Sequence, residues 1–177
     1  NWFADEAYLK IDDRPVLLVF GPQHFKTKRN WDELFADLSK RPKFYTLPYM
    51  KTEAGADGSF AWPPVTEKKL HSTADWKASL KNDAADIVVA FPGFHDIYAR
   101  TGKESHVRIA HQNGKTMVES LDFAFESGAE LIQIATWNDY GEGTQIEPTH
   151  SMGDRHLDAI QARLGGSGDV HLPTMLY

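Results

Sequence analysis

"GKTMVESLDFAFESGAELIQIATWNDYGEGTQIEP", Gly114 to Pro148, runs through three kinds of segment in succession. The first repeats apolar residues at helical spacing and stops at Gly128, the residue type that closes helices through a left-handed conformation. The second, "ELIQIATW" (Glu130 to Trp137), is a short apolar run with β-branched residues, as in a buried strand. The third, "NDYGEGTQIEP", is polar and glycine-containing, so it predicts a loop, and it carries Asp139 and Glu142 three residues apart. Helix, strand and polar loop in that order predict one unit of a parallel α/β fold. The loops at the carboxyl ends of such strands open on one face, where active sites form.

The same alternation extends towards the amino terminus. Further strands are expected at "VLLVF" (Val16 to Phe20), "FYTLPY" (Phe44 to Tyr49) and "DIVVAF" (Asp86 to Phe91), which makes four with "ELIQIATW". Helical segments fall at "WDELFADLSK", capped by Asn30, at "VTEKKLHSTADWKASLKND", and at "DRHLDAIQARLGG", closing on Gly165. "DDRP" reads as a turn into the first strand, and "GGSGD" (Gly165 to Asp169) as a flexible linker. Four βα units result. A complete (β/α)8 TIM barrel takes about 250 residues, and 177 residues supply about half of its units. The pattern therefore admits a small doubly wound domain, or one barrel domain over residues 1–177 whose other half lies elsewhere.

Composition excludes several classes of function. An apolar content of 41% is enough for a core, and the net charge of −6 is spread along the chain, which disfavours nucleic acid and anionic membranes as partners. There is no cysteine, which rules out disulfides and thiolate metal sites. No apolar run reaches the ~20 residues of a membrane span. The chain opens on Asn1 without a signal-like segment, so a leader is expected either to have been removed or not to belong to it. The eight histidines show no H-x-x-x-H or H-E-x-x-H spacing, and no calcium-loop pattern occurs, so neither a metal nor a cofactor is expected.

Two carboxyl groups in one cavity suit glycosidic bond cleavage. One is held protonated to donate to the leaving oxygen, and the other stays ionised to activate a nucleophile or stabilise positive charge. Asp139 and Glu142 fit that pair, while a solvated acidic loop capping a helix fits D-x-x-E equally well. Around them, Trp137 and Tyr140 offer ring faces for sugars, and Asn138, Thr144 and Gln145 offer hydrogen bonds to hydroxyls. In the other strand-end loops, His24 of "GPQHF", Trp62 of "GSFAWPP", and Phe94, His95 and Asp96 of "PGFHD" are candidate substrate contacts. The competing roles are a surface histidine for His24, packing over the rim for Trp62 and a helix cap for Asp96. Glu147 suits orienting the loop rather than catalysis, and Trp31, Trp76 and Phe123 suit the core.

"TWNDYGEGTQIEPT" resembles the signature of glycoside hydrolase families 71 and 99: "TWNDYGE" is similar to the fungal α-1,3-glucanases of family 71, and "GEGTQIEP" to the endo-α-mannosidase-type enzymes of family 99. "YLKIDDRPVLLVFGP", "VVAFPGFHD" and "NGKTMVESLDFAFESGAELIQIATWND" resemble other parts of those barrels, so the resemblance covers about Tyr8 to Thr149. It implies the carboxyl-terminal half of a (β/α)8 barrel, with Glu142 as general acid and Asp139 on the other essential carboxylate, which is Glu in family 99. It also implies an α-linked glucan or mannan as substrate and favours a secreted or periplasmic location. A missing amino-terminal half-barrel or a second copy would complete the site. Family 99 enzymes retain configuration through an epoxide-like intermediate and family 71 enzymes invert, and the shorter Asp139 favours inversion. A non-catalytic carbohydrate-binding module is the alternative.

Overall fold

The computed structural model describes residues 2–165, apart from 22–23, 66–69, 71, 84 and 103–106. The linker reading at "GGSGD" lies, beyond Gly165, outside the described residues. Six strands appear among the described residues: β1 (Lys10–Ile11), β2 (Arg14–Val19), β3 (Lys43–Thr46), β4 (Gly58–Ser59), β5 (Ile87–Ala90) and β6 (Leu131–Ile134). The helices are α1 (Lys28–Phe35), α2 (Lys51–Ala54), α3 (Thr73–Asp83), α4 (Lys115–Glu126) and α5 (Arg155–Arg163). β2 to β6 are parallel and follow one another in chain order; β2, β3 and β4 pair in succession, as do β5 and β6. A parallel bridge between Phe60 and Ile87, with Ala61 N–H donating to Ile87 at 2.8 Å, joins the two groups.

The strand count departs from the expected four. β4 lies inside the segment expected to be a loop, and its two residues are too few to show a period in the sequence. Its neighbours hold it: Tyr45 and Thr46 pair with Gly58 and Ser59, and the Asp86 carboxylate accepts Ser59 N–H at 2.8 Å. A Cβ on Gly58 would stand 2.5 Å from the Tyr45 ring, so this close pairing requires glycine. β1 is a second addition. Asp12 and Asp13 take positive φ angles of 51° and 60°, and the turn read at "DDRP" becomes a two-residue antiparallel hairpin. β3 stops at Thr46 because Leu47-Pro48 opens a 3-10 turn over Pro48–Met50.

Helix faces follow their apolar spacing. Trp31 and Phe35 of α1 pack on Phe44 and Ala54; Trp76 and Leu80 of α3 join Phe91 and Phe123; Met117 and Leu121 of α4 meet Ala90 and Ile146. Trp31, Trp76 and Phe123 are thus core residues, as expected. Each buried aromatic contributes roughly 1.5–3 kcal/mol. α1 is capped by Thr27 and not by Asn30: Thr27 bonds the backbone of Asn30, whose side chain answers to Thr27 N–H, forming a reciprocal capping box. α4 closes through Gly128 at φ +72°, as its sequence predicts.

Candidate active site

β6 delivers the signature loop. After Ile134 the chain enters a network in which Thr136 N–H donates to the Thr144 carbonyl at 3.0 Å and Thr144 N–H to the Asp139 carbonyl at 3.1 Å. The Thr136 and Thr144 hydroxyls meet at 2.9 Å, and Thr136 Oγ1 accepts Asp139 N–H at 3.0 Å. Asp139 Oδ1 accepts Glu142 N–H at 2.9 Å. The Ala135–Thr136 peptide is cis.

Asp139 and Glu142 line one cleft of about 380 Å³, together with Trp62, Leu18, Phe20, Phe60 and Gln133. All lie on or just beyond the carboxyl-terminal parts of β2, β4 and β6. Trp62 packs edge-to-face on Phe20 with ring centroids 4.7 Å apart. Glu142 is half-buried and its Oε2 is shielded from solvent. Gln133 donates its amide to the Ala61 carbonyl, which fixes the backbone beside Trp62.

Other candidates occupy other places. Phe94 is a core residue, 1% exposed among Ala61, Trp76 and Ile109, because its strand-like bridge to Ile109 turns it inward. Thr144 is fully buried and braces the loop, since its hydroxyl is engaged by Thr136. Asp96 is buried, and its Oδ1 accepts Tyr98 N–H at 3.1 Å at the start of a 3-10 turn. Gln145 is half-buried. His24, His95, Asn138, Trp137 and Tyr140 are exposed beyond the described lining of the cleft, with the Tyr140 hydroxyl on Glu147 Oε1 at 2.8 Å. Glu147 is thus tied to Tyr140 within the same loop. Among the described residues no group of three or more His, Asp or Glu is placed to hold a metal ion, and no helix is long and apolar enough to cross a membrane.

Sequence reasoning missed Leu18, Phe20, Phe60 and Gln133. The signal was available for three of them: Leu18 with Phe20, and Phe60 with Trp62, stand two residues apart and so share one face of an extended chain. It also missed His111 and His156. Burial, with His111 and Arg155 nearby, takes the His156 pKa down to about 4. Burial likewise lowers that of His111, against a hydrogen bond to the Gly143 backbone and together with the charges of Arg108 and His95.

The parallel strands, their covering helices and the cleft at the strand ends define an α/β fold of the kind that glycoside hydrolases use. The particular likeness is to the family 99 endo-α-mannosidase of Bacteroides thetaiotaomicron. Its bis-tris-propane complex superposes with a TM-score of 0.60 at 24% identity, covering 89% of this chain and 58% of that one. A second structure of that enzyme gives 0.59 at 22% identity, covering 90% and 57%. A glycoside hydrolase-like protein gives 0.61 at 13% identity, covering 88% and 55%. The likeness is one of fold, and this chain spans less than two thirds of each neighbour. No protein-family model matches the sequence, and no curated protein matches it.

Proposed function

We propose that residues 1–177 form the carboxyl-terminal half of a (β/α)8 barrel and carry the catalytic pair of a glycoside hydrolase of the family 71/99 type, acting on an α-linked glucan or mannan. The carrying observation is that Asp139 and Glu142 line one cleft with Trp62 at the strand ends. The likeness in fold to the family 99 enzyme supports the same reading. Glu142 gives its proton to the glycosidic oxygen as the bond to the anomeric carbon breaks. Asp139 takes a proton from the water that attacks that carbon, which yields inversion, and Trp62 stacks on a sugar ring.

The reading also calls for a second half of the barrel. Leu18 and Ile134 are 36% exposed and Phe20 57% exposed, apolar surface that an amino-terminal half-barrel, or failing that a second copy, would cover. Residues 1–177 alone are expected to self-associate in sedimentation, and a stable monomer would count against the half-barrel.

The functional test compares Glu142→Gln and Asp139→Asn in a protein carrying the whole barrel. Each is expected to lose ~10²–10⁴-fold on glycan. An aryl glycoside, whose leaving group needs no proton, should restore Glu142→Gln only. Wild-type turnover in either variant, or equal rescue of both, overturns the roles. Glycan binding without turnover in the unaltered protein would replace the enzyme with a binding module.

A further inference from the structure

Side chains alternate along a strand, and β6 turns Leu131 and Gln133 to the same face. Leu131 packs on the apolar cluster of Val16, Tyr45, Leu47, Phe60 and Ile87. Gln133, next on that face, is half-buried on the wall of the cleft beside Leu18, Phe60 and Trp62. Packing alone would be served by an apolar side chain here, and a primary amide taken from water is costly unless it is hydrogen-bonded. Its partner is distant in the sheet. Gln133 lies in register with Val89 of β5, and its side chain reaches past that strand to donate to the Ala61 carbonyl, just beyond β4.

That carbonyl belongs to the planar peptide whose N–H is that of Trp62. Ala61 N–H is held by the Ile87 carbonyl at 2.8 Å, so the residue before Trp62 is fixed on both sides. The two residues after it, Pro63 and Pro64, carry no backbone N–H and cannot continue the strand pairing as donors. The Trp62 ring meets Phe20 edge-to-face at 4.7 Å. Trp62 is therefore anchored through its backbone from β6 and through its ring from the end of β2. Gln133 stands six positions before Asp139, and the strand that holds the Trp62 peptide is thus the one whose loop carries both carboxylates.

We propose that Gln133 is a positioning residue, holding the Trp62 ring where a sugar can stack on it beside Asp139 and Glu142. The inference rests on the reading of Trp62 as the sugar platform of this site. Gln133 acts through Ala61 and Trp62, so its loss weakens substrate binding and leaves the proton transfers of the carboxylates in place.

The experiment uses a protein carrying the whole barrel, with natural glycan as substrate. Gln133→Leu, which removes the donor and keeps the bulk, should raise KM about 2–5-fold with kcat within about twofold, less than the loss of the whole ring. In a Trp62→Ala background the same change should add nothing to KM, because residues that act as one unit are not additive. A Gln133→Leu protein with the KM of wild type overturns the proposal. So does a KM rise that persists in full once Trp62 is alanine, since Gln133 would then act on the substrate or on another group. Hydrogen exchange of the Gln133 side-chain amide in the unaltered protein is a test independent of variant folding. One of its two protons should exchange slowly, and exchange of both as fast as in an exposed glutamine overturns the proposal. Trp62→Ala alone is the reference. If it keeps the KM of wild type, the platform reading fails and this inference with it; if it raises KM while Gln133→Leu does not, only this inference fails.

Discussion

His95 donates its backbone N–H to the carbonyl oxygen of Glu142 at 2.8 Å, and two residues on Ile97 N–H does the same to Gly141 at 3.0 Å. The loop after β5 and the loop after β6 are thus paired backbone to backbone, although His95 and Glu142 stand 47 positions apart in the chain. The Glu142 carboxyl accordingly stands on a braced support and not on a free loop, as the acid role proposed for it would require.

Gly143 sits where these loops cross, at φ +66° with the His95 carbonyl oxygen 2.9 Å from where a Cβ would be. Gly143→Ala is expected to destabilise the fold by about 1–3 kcal/mol through backbone strain, and to lower turnover as well. Gly21→Ala is the control: φ is +58° but nothing lies within 4 Å, so only the conformational part of the cost applies. Urea midpoints for the two variants check this. An equal cost for both would remove the argument from close approach.

Trp62 is held edge-to-face by Phe20 beside the two carboxylates. An aromatic contact of this kind contributes ~0.5–1.5 kcal/mol. Trp62→Ala should therefore raise KM for glycan about 2–10-fold and change kcat less. Steady-state kinetics decide it, and a KM equal to that of wild type would exclude Trp62 as a sugar platform.

His156 makes stability depend on pH. Its pKa falls from the ordinary 6.5 to about 4 in the folded chain because it is buried near His111 and Arg155. The unfolded chain thus binds the extra proton between those values. Stability is complete above about pH 6.5 and declines as the pH falls towards 4, by about 3 kcal/mol from this group. His156→Leu removes two buried nitrogens that meet no partner among the described residues. It is expected to flatten that acid slope and to be neutral or stabilising at pH 7. Thermal melts from pH 4 to 7 on both proteins provide the comparison.

Asp57 tests the amino-terminal part of the sheet. Burial opposes its ionisation, but the Arg14 guanidinium, at 2.9 and 2.7 Å, and Phe44 N–H, at 2.9 Å, hold its pKa below the usual carboxylate value. A depressed carboxylate pKa stabilises above the unfolded value and loses that contribution as the pH falls through the folded one. Asp57→Asn should cost about 1–2 kcal/mol at pH 7, allowing for partial exposure of the pair. The gap to wild type should narrow steadily as the pH falls below the ordinary carboxylate value, as denaturation at a series of pH values from 7 downwards would reveal.

Features set by neighbours along the chain were legible in the sequence alone. Apolar spacing and Gly128 give α4 and its end, "ELIQIATW" contains β6, and Asp139 and Glu142 stand in a loop beyond it, because periodicity and capping depend on residues a few positions apart. Only the tertiary structure decided what depends on distant partners. β4 exists because β3 and Asp86 engage Gly58 and Ser59, and no local pattern marks two residues as a strand. Phe94 and Thr144 look like site residues in the sequence and are buried by Ile109 and Thr136. His111 and His156, 45 positions apart, gain their meaning only where α5 brings one ring to 5.9 Å from the other. Burial and hydrogen bonding are properties of the assembled neighbourhood, which one-dimensional spacing does not encode.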